Sequence, residues 1–469
     1  MEAQPNLPTM PNKYTGLLAL AICWFTCSKL VAQTLPDTAI YLKGAVQLAE
    51  QRHHLLKAAQ YEAAAAGKNI DVVKYSKLPT IDASYQAGIG TANNLTGIFY
   101  PGNVLPMTGP PSGNNNYSAA TGSAASVLLN WQAATFGQKN AQIAVAVAEA
   151  NTRKSELQQI RFQQKIIVIS AYLDLLLSYD VVAIHKSNIE RVEASLRQSR
   201  VLANTGLKPG VDTALFLSEL SKATIDLLQA KKQLQVNQSL LAQTIVTDAL
   251  PVPADSSFLN QLPLAVVQPD SSFSAAPIIQ LSNSQFLLSQ SKESLLRKSW
   301  MPKLNVWSTG FARGSGFQTN GSIQTWNGLG LNRFNYGAGL QLVFPIMKYG
   351  EVKMQLQQQS LLSKAAQEKI DDNKSALTAQ QRIAAVNFSN SIAIANETVQ
   401  QLQTGQYAFN AMQIRYNTGL VRFADLIQAQ YNLLKAELDL KRSHWDAWKA
   451  LLLQAAVKGD EQVFLQEIR

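Results

Sequence analysis

Cysteine is scarce in this chain of 469 residues, which contains only Cys23 and Cys27. Both lie in residues 1–32, where a short apolar stretch follows Lys13, as is typical of a secretory signal peptide. Removal of that segment leaves a mature chain without disulfides, thiolate metal sites or a cysteine nucleophile. Lipidation at either cysteine, and translation from Met10 rather than from the first residue, are alternatives that the sequence leaves open.

Long apolar runs are missing after residue 32. No segment of 18 uninterrupted apolar residues occurs there, so the sequence predicts no transmembrane helix. If the chain spans a membrane, a closed β-barrel is the structure left to it. The formal charge of +10 is spread along the chain without a basic cluster among aromatic residues, and the sequence therefore predicts no nucleic-acid partner.

Histidine is also rare, and no group of residues has the spacing of a metal or catalytic site. His53 and His54 are adjacent and would point about 100° apart on a helix, while His185 and His444 are isolated. No glycine-rich phosphate loop stands between a strand and a helix, and no serine has the glycine frame of a nucleophile elbow. The sequence thus predicts no enzyme, no cofactor and no metal site.

A long internal repeat dominates what the chain does contain. The tetrapeptide NTGL occurs at 204–207 and again at 417–420, an offset of 213 residues. Trp131 aligns with Phe344 at the same offset, and the register holds over roughly a hundred residues, which indicates two copies of one unit. The first copy carries extra residues upstream, and we place them in the Gly-, Pro- and Asn-rich loop 93–117.

Each copy contains two predicted strands, in which apolar and polar residues alternate. The predicted strands are about 80–91, 119–131, 303–314 and 335–346. The apolar sets are Ile81, Ala83, Tyr85, Ala87 and Ile89; Ala125, Val127, Leu129 and Trp131; and Ala338, Leu340, Leu342 and Phe344. Such strands suit the tilted strand of a membrane barrel, and the alternative is an edge hairpin of a soluble sandwich.

Two long helices follow the strands in each copy, and a shorter helix precedes them. The long helices are predicted at about 137–203, 210–247, 350–416 and 423–456, and the opening helices at about 38–78 and 275–300. The first long helix of each copy lies in a proline-free span, 137–206 or 350–419, and could reach roughly 100 Å. In the return helices leucine and small residues recur at steps of three and four, as in a coiled-coil seam. Gly206 and Gly419 then lie in the tight turns between antiparallel helices.

The predicted organisation is therefore a duplicated helix–strand–strand–long helix–helix repeat. The first repeat spans 33–248 and the second 275–457, with a Pro- and Ser-rich linker at 249–274 and a C-terminal tail at 458–469. Four strands in one chain are too few to enclose a lumen, for which about eight are needed. Membrane strands of this number therefore predict a barrel that is shared between symmetry-related chains.

The duplicated order of elements around the motif YNTGL resembles the TolC family of outer-membrane efflux proteins. The most specific stretch is RYNTGLVRFADLIQAQYNLLKAELDLKRSHWDAWKALLLQ, and the resemblance covers about residues 38–457. It implies a mainly α fold with a small β part, in which a homotrimer forms a 12-stranded β-barrel in the lipid of the bacterial outer membrane. The barrel would continue as a periplasmic α-helical coiled-coil tunnel.

The resemblance further implies a passive exit duct in a tripartite efflux or type I secretion system. The duct would dock on a periplasmic adaptor (membrane fusion) protein and an inner-membrane RND, ABC or MFS pump. The docking tips match Asn204, Thr205, Gly206, Leu207, Asn417, Thr418, Gly419 and Leu420. The alternative function is an extracellular or periplasmic coiled-coil scaffold without channel activity.

The periplasmic gate of the family matches this chain only in part. Tyr416 and Asp425 match a latch tyrosine and the first of two gate aspartates, but the second aspartate is replaced by Gln428. The latching arginine would fall at Val421, one residue before Arg422. Asp425 and its repeat equivalent, Asp212, could instead serve only the dipoles of the helices that they begin.

Overall fold

The computed structural model describes residues 39–91, 93, 113–255, 257–264, 273–318 and 322–468. The predicted signal peptide and most of the predicted loop insertion lie outside the described residues. The helices are α1 (Leu42–Arg52), α2 (His54–Tyr75), α3 (Gln138–Asn204), α4 (Val211–Ile245), α5 (Pro277–Lys298), α6 (Lys348–Asn417), α7 (Phe423–Lys458) and α8 (Gln462–Leu465). The strands are β1 (Ala39–Ile40), β2 (Thr80–Gly90), β3 (Ala120–Ala134), β4 (Val252–Pro253), β5 (Lys303–Ser315) and β6 (Arg333–Val343).

Strands β2, β3, β5 and β6 form one antiparallel sheet in that order. The pairing of β3 with β5 joins the first repeat to the second, with Val127 opposite Gly310. Strands β2 and β6 are the edges, and neither pairs with a further strand in the described part of the chain. The sheet is therefore a single ribbon with two open edges, which natural proteins rarely leave unprotected.

The strand register places the predicted apolar sets on one face of this sheet. Directly opposite residues of an antiparallel pair share a face, and Tyr85 lies opposite Ala125, which lies opposite Ala312. The face comprises Ile81, Ala83, Tyr85, Ala87, Ile89, Ala125, Val127, Leu129, Trp131, Leu304, Val306, Ala312, Phe334, Tyr336, Ala338, Leu340 and Leu342. Phe344 is excluded, because β6 ends at Val343, just before Pro345.

The apolar face is open to solvent in the single chain. Tyr336 is 95% exposed and Leu340 72% exposed, and no second sheet packs on the four strands in the described residues. The alternative of a soluble sandwich therefore lacks its second layer. The opposite face carries polar residues, among them Asp82 and Lys303, which follows from the same two-residue alternation.

The long helices form two antiparallel hairpins, α3 with α4 and α6 with α7. Helix α3 has 67 residues and α6 has 70, so each extends for roughly 100 Å. The seam positions predicted in the return helices face the hairpin interior. Buried among them are Ala223, Ala230 and Leu241 in α4 and Leu426, Ala429, Leu433, Ala436, Ser443 and Ala447 in α7.

The main hydrophobic core lies part-way along the helices. One 18-residue window of α3 is long and apolar enough to cross a membrane, but it contains core residues such as Tyr172 and Leu176, which are buried against α1 and α7. The hydrophobicity of that window is therefore explained by burial in protein. Aromatic residues from outside the two repeats also pack in this core.

The linker and the C-terminal tail help to build this core. Phe258 of the linker stacks edge-to-face on Trp448 at 4.9 Å, and Phe464 of α8 does so at 5.5 Å. The Tyr172 hydroxyl bonds to Asp255, also in the linker. The sequence analysis treated 249–274 as irregular and 458–469 as a tail, but Phe258, Leu259 and Phe464 are buried in the structure because they cover the core.

The opening helix of the first repeat is broken at His53. The sequence analysis placed 38–78 in one helical stretch, with His53 and His54 on the same helix. In the structure the His53 backbone is extended, with φ −63° and ψ 122°, and it separates α1 from α2. The two imidazoles therefore do not share a helix, and the angular argument about them does not apply.

Candidate functional site: the helix turns and the contacts behind them

The two NTGL turns end their helices in the same way. Gly206 has φ +74° and Gly419 has φ +80°, a conformation that favours glycine. The amide of Leu207 donates to the carbonyl of Leu202 at 3.0 Å, and the amide of Leu420 donates to the carbonyl of Arg415 at 2.9 Å. These hydrogen bonds, each from the sixth residue of the turn back to the first, define a Schellman motif in each copy.

The threonine of NTGL completes the helix end. The hydroxyls of Thr205 and Thr418 each donate to two carbonyls of the preceding turn, at 3.0 and 3.1 Å for Thr205 and at 3.2 and 3.1 Å for Thr418. The threonines therefore add a side-chain donor to carbonyls that already accept backbone amides of the turn. This structural role explains why threonine is repeated.

The asparagine and leucine of each turn have no such role. Asn204 and Asn417 are exposed, and their side chains make no hydrogen bond to the described part of the chain. Leu207 and Leu420 are 71% and 74% exposed. Each turn thus presents an amide and an apolar side chain side by side, which is a combination suited to a protein contact.

Tyr416 lies directly behind the second turn and joins the two repeats. It is buried, and its hydroxyl donates to the Asp212 carboxylate at 2.9 Å. Its ring meets Phe216 edge-on at 5.9 Å. Burial, and then the hydrogen bond to Asp212, raise the pKa of Tyr416 to about 12. The phenol is therefore protonated and able to donate at neutral pH.

A lysine that the sequence analysis did not single out reinforces this contact. Lys208, in the first turn, donates to the Val421 carbonyl in the second turn at 3.1 Å. Its ammonium lies 4.9 Å from the centre of the Tyr416 ring, within range of a cation–π interaction. Lys208 therefore places a positive charge from the first repeat against the second turn.

Asp212 and Asp425 are equivalent in the repeat but have different partners. Asp425 accepts the backbone amide of Arg422 at 3.1 Å and caps its own helix. The residue equivalent to Arg422 in the first repeat is Pro209, which has no backbone N–H. Asp212 therefore cannot form the same capping box, and its carboxylate accepts the Tyr416 hydroxyl instead.

The other predicted gate residues lie apart from this pair. The Arg422 side chain is 88% exposed and lies 3.8 Å from Asp425. Gln428 is exposed and donates to Asn432 one turn further along α7. The structure therefore brings Arg422 together with Asp425, and Tyr416 together with Asp212, but it forms no hydrogen bond between the two pairs within the described chain.

Further contacts, which sequence reasoning missed, hold α7 against the first repeat. Arg191 of α3 and Glu437 of α7 form a bidentate ion pair, in which the two guanidinium nitrogens donate to the two carboxylate oxygens at 2.8 and 2.6 Å. Deeper in the interface Gln430 donates to Asn188 at 3.1 Å. No group of three or more metal-ligating side chains occurs in the part of the chain that the structure describes.

Comparison with known proteins gives one family and several solved structures. The sequence profile of the family described as "Outer membrane efflux protein" matches residues 45–245 and 287–451. A search of curated proteins gave no significant match.

Three solved channels illustrate the structural similarity. The outer-membrane channel OprN is 16% identical with a TM-score of 0.69, covering 89% of each chain. CusC is 12% identical with a TM-score of 0.74, covering 89% of this chain and 92% of its own. The Campylobacter jejuni CmeC outer membrane channel is 15% identical with a TM-score of 0.70, covering 89% of this chain and 85% of its own.

Proposed function

Since this chain belongs to the outer membrane efflux protein family, we propose that it is the passive exit duct of a tripartite export assembly. Membership places the protein in the outer membrane as a channel component of an efflux system, with a tunnel in the periplasm. The proposal adds three points: closure by three chains, docking through the NTGL turns, and a gate at the contacts behind them.

Closure by three chains is supported by the sheet. Its four strands have one continuous apolar face and two open edges. Pairing of β6 with β2 of the next copy removes both edges, and three copies supply twelve strands around a lumen. The apolar face then meets lipid and the polar face meets water.

Native mass in mild detergent tests this closure. We expect light scattering, with the detergent subtracted, to give three times the mass of the mature chain. A monomer that persists after gentle extraction would leave the sheet open and would favour the alternative of a coiled-coil scaffold without a channel.

Docking through the turns is supported by their exposed asparagine and leucine side chains. The partner would be a periplasmic adaptor protein, whose own contact with an RND, ABC or MFS pump supplies the energy of transport. We expect Asn204→Ala combined with Asn417→Ala to reduce export while the trimer stays in the outer membrane. Unchanged export in that double variant would remove these asparagines from the docking surface.

The gate is supported by contacts that cross between the repeats at the same end of the tunnel. Tyr416 with Asp212, and Lys208 with Val421, tie α6 and the second turn to the first repeat. Opening would separate α6 and α7 from α3 and α4, and these bonds would break first. Asp425 and Arg422 lie at the start of α7, where three copies would surround the entrance.

A further inference from the structure

Four lysines surround the junction between the sheet and the helices. Lys77 follows α2, Lys139 lies in the first turn of α3, Lys298 ends α5 and Lys303 begins β5. We refer to these four residues as the lysine collar. They come from both repeats, and neither the gate nor the docking turns use them.

Hydrogen bonds hold two members of the collar beside each other. The Lys139 ammonium donates to the carbonyl of Ser76, which is the neighbour of Lys77. The Lys77 ammonium donates to the side-chain oxygen of Asn140 at 2.7 Å, and Asn140 is the neighbour of Lys139. The end of α2 and the start of α3 are therefore cross-linked through their lysines.

The sheet register and the turn before α3 bring in the other two members. Ala134, the last residue of β3, pairs with Leu304, so Lys303 begins its strand beside the turn that leads into α3. In that turn, the side chain of Lys298 lies against Gly137, whose φ of +94° directs the chain into the helix. These lysines are far apart in the sequence, and the fold brings them close together.

The collar lacks a balancing negative charge. None of its four lysines forms an ion pair with a carboxylate in the described residues. Burial, followed by the positive charges of Lys303 and Lys77, lowers the pKa of Lys139. Like charges that are held together in this way favour the binding of an anion between them.

Aromatic residues place Lys77, and with it Lys139, at the edge of the apolar face, whereas Lys303 begins β5 on the opposite, polar face. Trp131 lies on that face at the helix end of β3, and its indole nitrogen donates to the Lys77 carbonyl at 2.8 Å. Trp300 and Tyr349 meet edge-to-face at 5.8 Å near the starts of β5 and α6. Tryptophan and tyrosine concentrate at the level of lipid headgroups, where their apolar rings and polar atoms are both satisfied.

We propose that Lys77 and Lys139 of the lysine collar bind the phosphate of an anionic phospholipid in the membrane leaflet on the helix side of the sheet. The phosphate oxygens accept hydrogen bonds from the ammonium groups, and the acyl chains lie along the apolar face. Basic pockets at this level are suited to anionic headgroups. The proposal rests on the outer-membrane location in the proposed function.

The test uses the full-length protein purified in mild detergent and stripped of lipid. It is incubated with equal amounts of phosphatidylglycerol and phosphatidylcholine of the same chain length, and bound lipids are counted by native mass spectrometry. The test variant combines Lys77→Gln and Lys139→Gln. The matched control combines Lys231→Gln and Lys232→Gln, which are exposed positions on α4.

We expect the wild type and the control to prefer phosphatidylglycerol, and the collar variant to lose that preference by about tenfold or more, since each basic residue near an anionic surface contributes about a factor of five. No preference in the wild type, or an unchanged preference in the collar variant, overturns the proposal. Displacement of phosphatidylglycerol by an equal concentration of inorganic phosphate also overturns it, because a general anion site would then suffice.

The mass of the complex and its recovery from outer membranes separate this proposal from the proposed function. A trimer in the outer membrane without lipid preference refutes the collar alone. A monomer, or a protein absent from that membrane, refutes the proposed function as well.

Discussion

Removal of the Tyr416 hydroxyl tests the gate most directly. Tyr416→Phe keeps the ring and its contact with Phe216, but it leaves the Asp212 carboxylate, which is 9% exposed, without this donor. A hydrogen bond to a charged group contributes about 2 kcal/mol. The equilibrium constant between the closed and open forms of one chain should therefore shift toward the open form by roughly a factor of 30.

Three chains amplify the effect if the entrance opens in a concerted way. The three substituted sites are far apart, so their losses of free energy should add, to about 6 kcal/mol for the trimer. Open probability in planar bilayers, measured on single channels, is the suitable assay. We expect long closed periods in the wild type and much shorter ones in Tyr416→Phe.

Tyr407→Phe is the matched control. Tyr407 lies on the same helix and is 78% exposed, so removal of its hydroxyl should change nothing. If Tyr416→Phe trimers have the open probability of the wild type, the bond to Asp212 does not hold the entrance closed. If both variants open alike, a general loosening of α6 would explain the result better than a latch.

Four other outcomes are expected. Pro209→Ala supplies a backbone N–H that competes for Asp212, so bilayer recordings should show shorter closed periods than in the wild type, and unchanged periods would contradict our account of the two aspartates. Gly206→Val combined with Gly419→Val strains both turns by about 1–3 kcal/mol each. Export should therefore fail, while fractionation still finds the protein in the outer membrane. Export that survives both changes would refute the docking role of the NTGL turns. Asp425→Asn should weaken channel block by multivalent cations in the same recordings, and equal block would remove Asp425 from the entrance. Burial lowers the pKa of His444, so the contribution of the neutral imidazole to stability is full above pH 6.5 and is lost as pH falls through the lowered pKa. His444→Gln should therefore reduce the fall of the thermal midpoint below pH 6.5. An identical pH profile in the variant would show that other groups cause the fall.

Much of the architecture follows from patterns in the sequence. Alternation with a period of two identified β2, β3 and β6, because each has one face in an apolar environment and one in a polar one, and the internal repeat identified β5. The steps of three and four in the return helices identified the seam that is buried in each hairpin. NTGL marked the turns, since only glycine adopts the required φ without cost.

Local patterns do not encode which distant residues meet. The partnership of Tyr416 with Asp212, the position of Lys208 over that tyrosine, and the collar around Lys139 all join residues from separate elements. Pro209 was a readable signal for one of them, because its missing N–H frees Asp212 from capping its own helix.

The sequence by itself determined the elements, their order and their duplication, since these depend on periodicity and on turn chemistry within short segments. Only the tertiary structure decided that β3 pairs with β5, so that both repeats share one sheet, and that Phe258 and Phe464 close the core around Trp448. Those contacts depend on how two helical hairpins pack against each other, and packing between elements is a property of the whole chain.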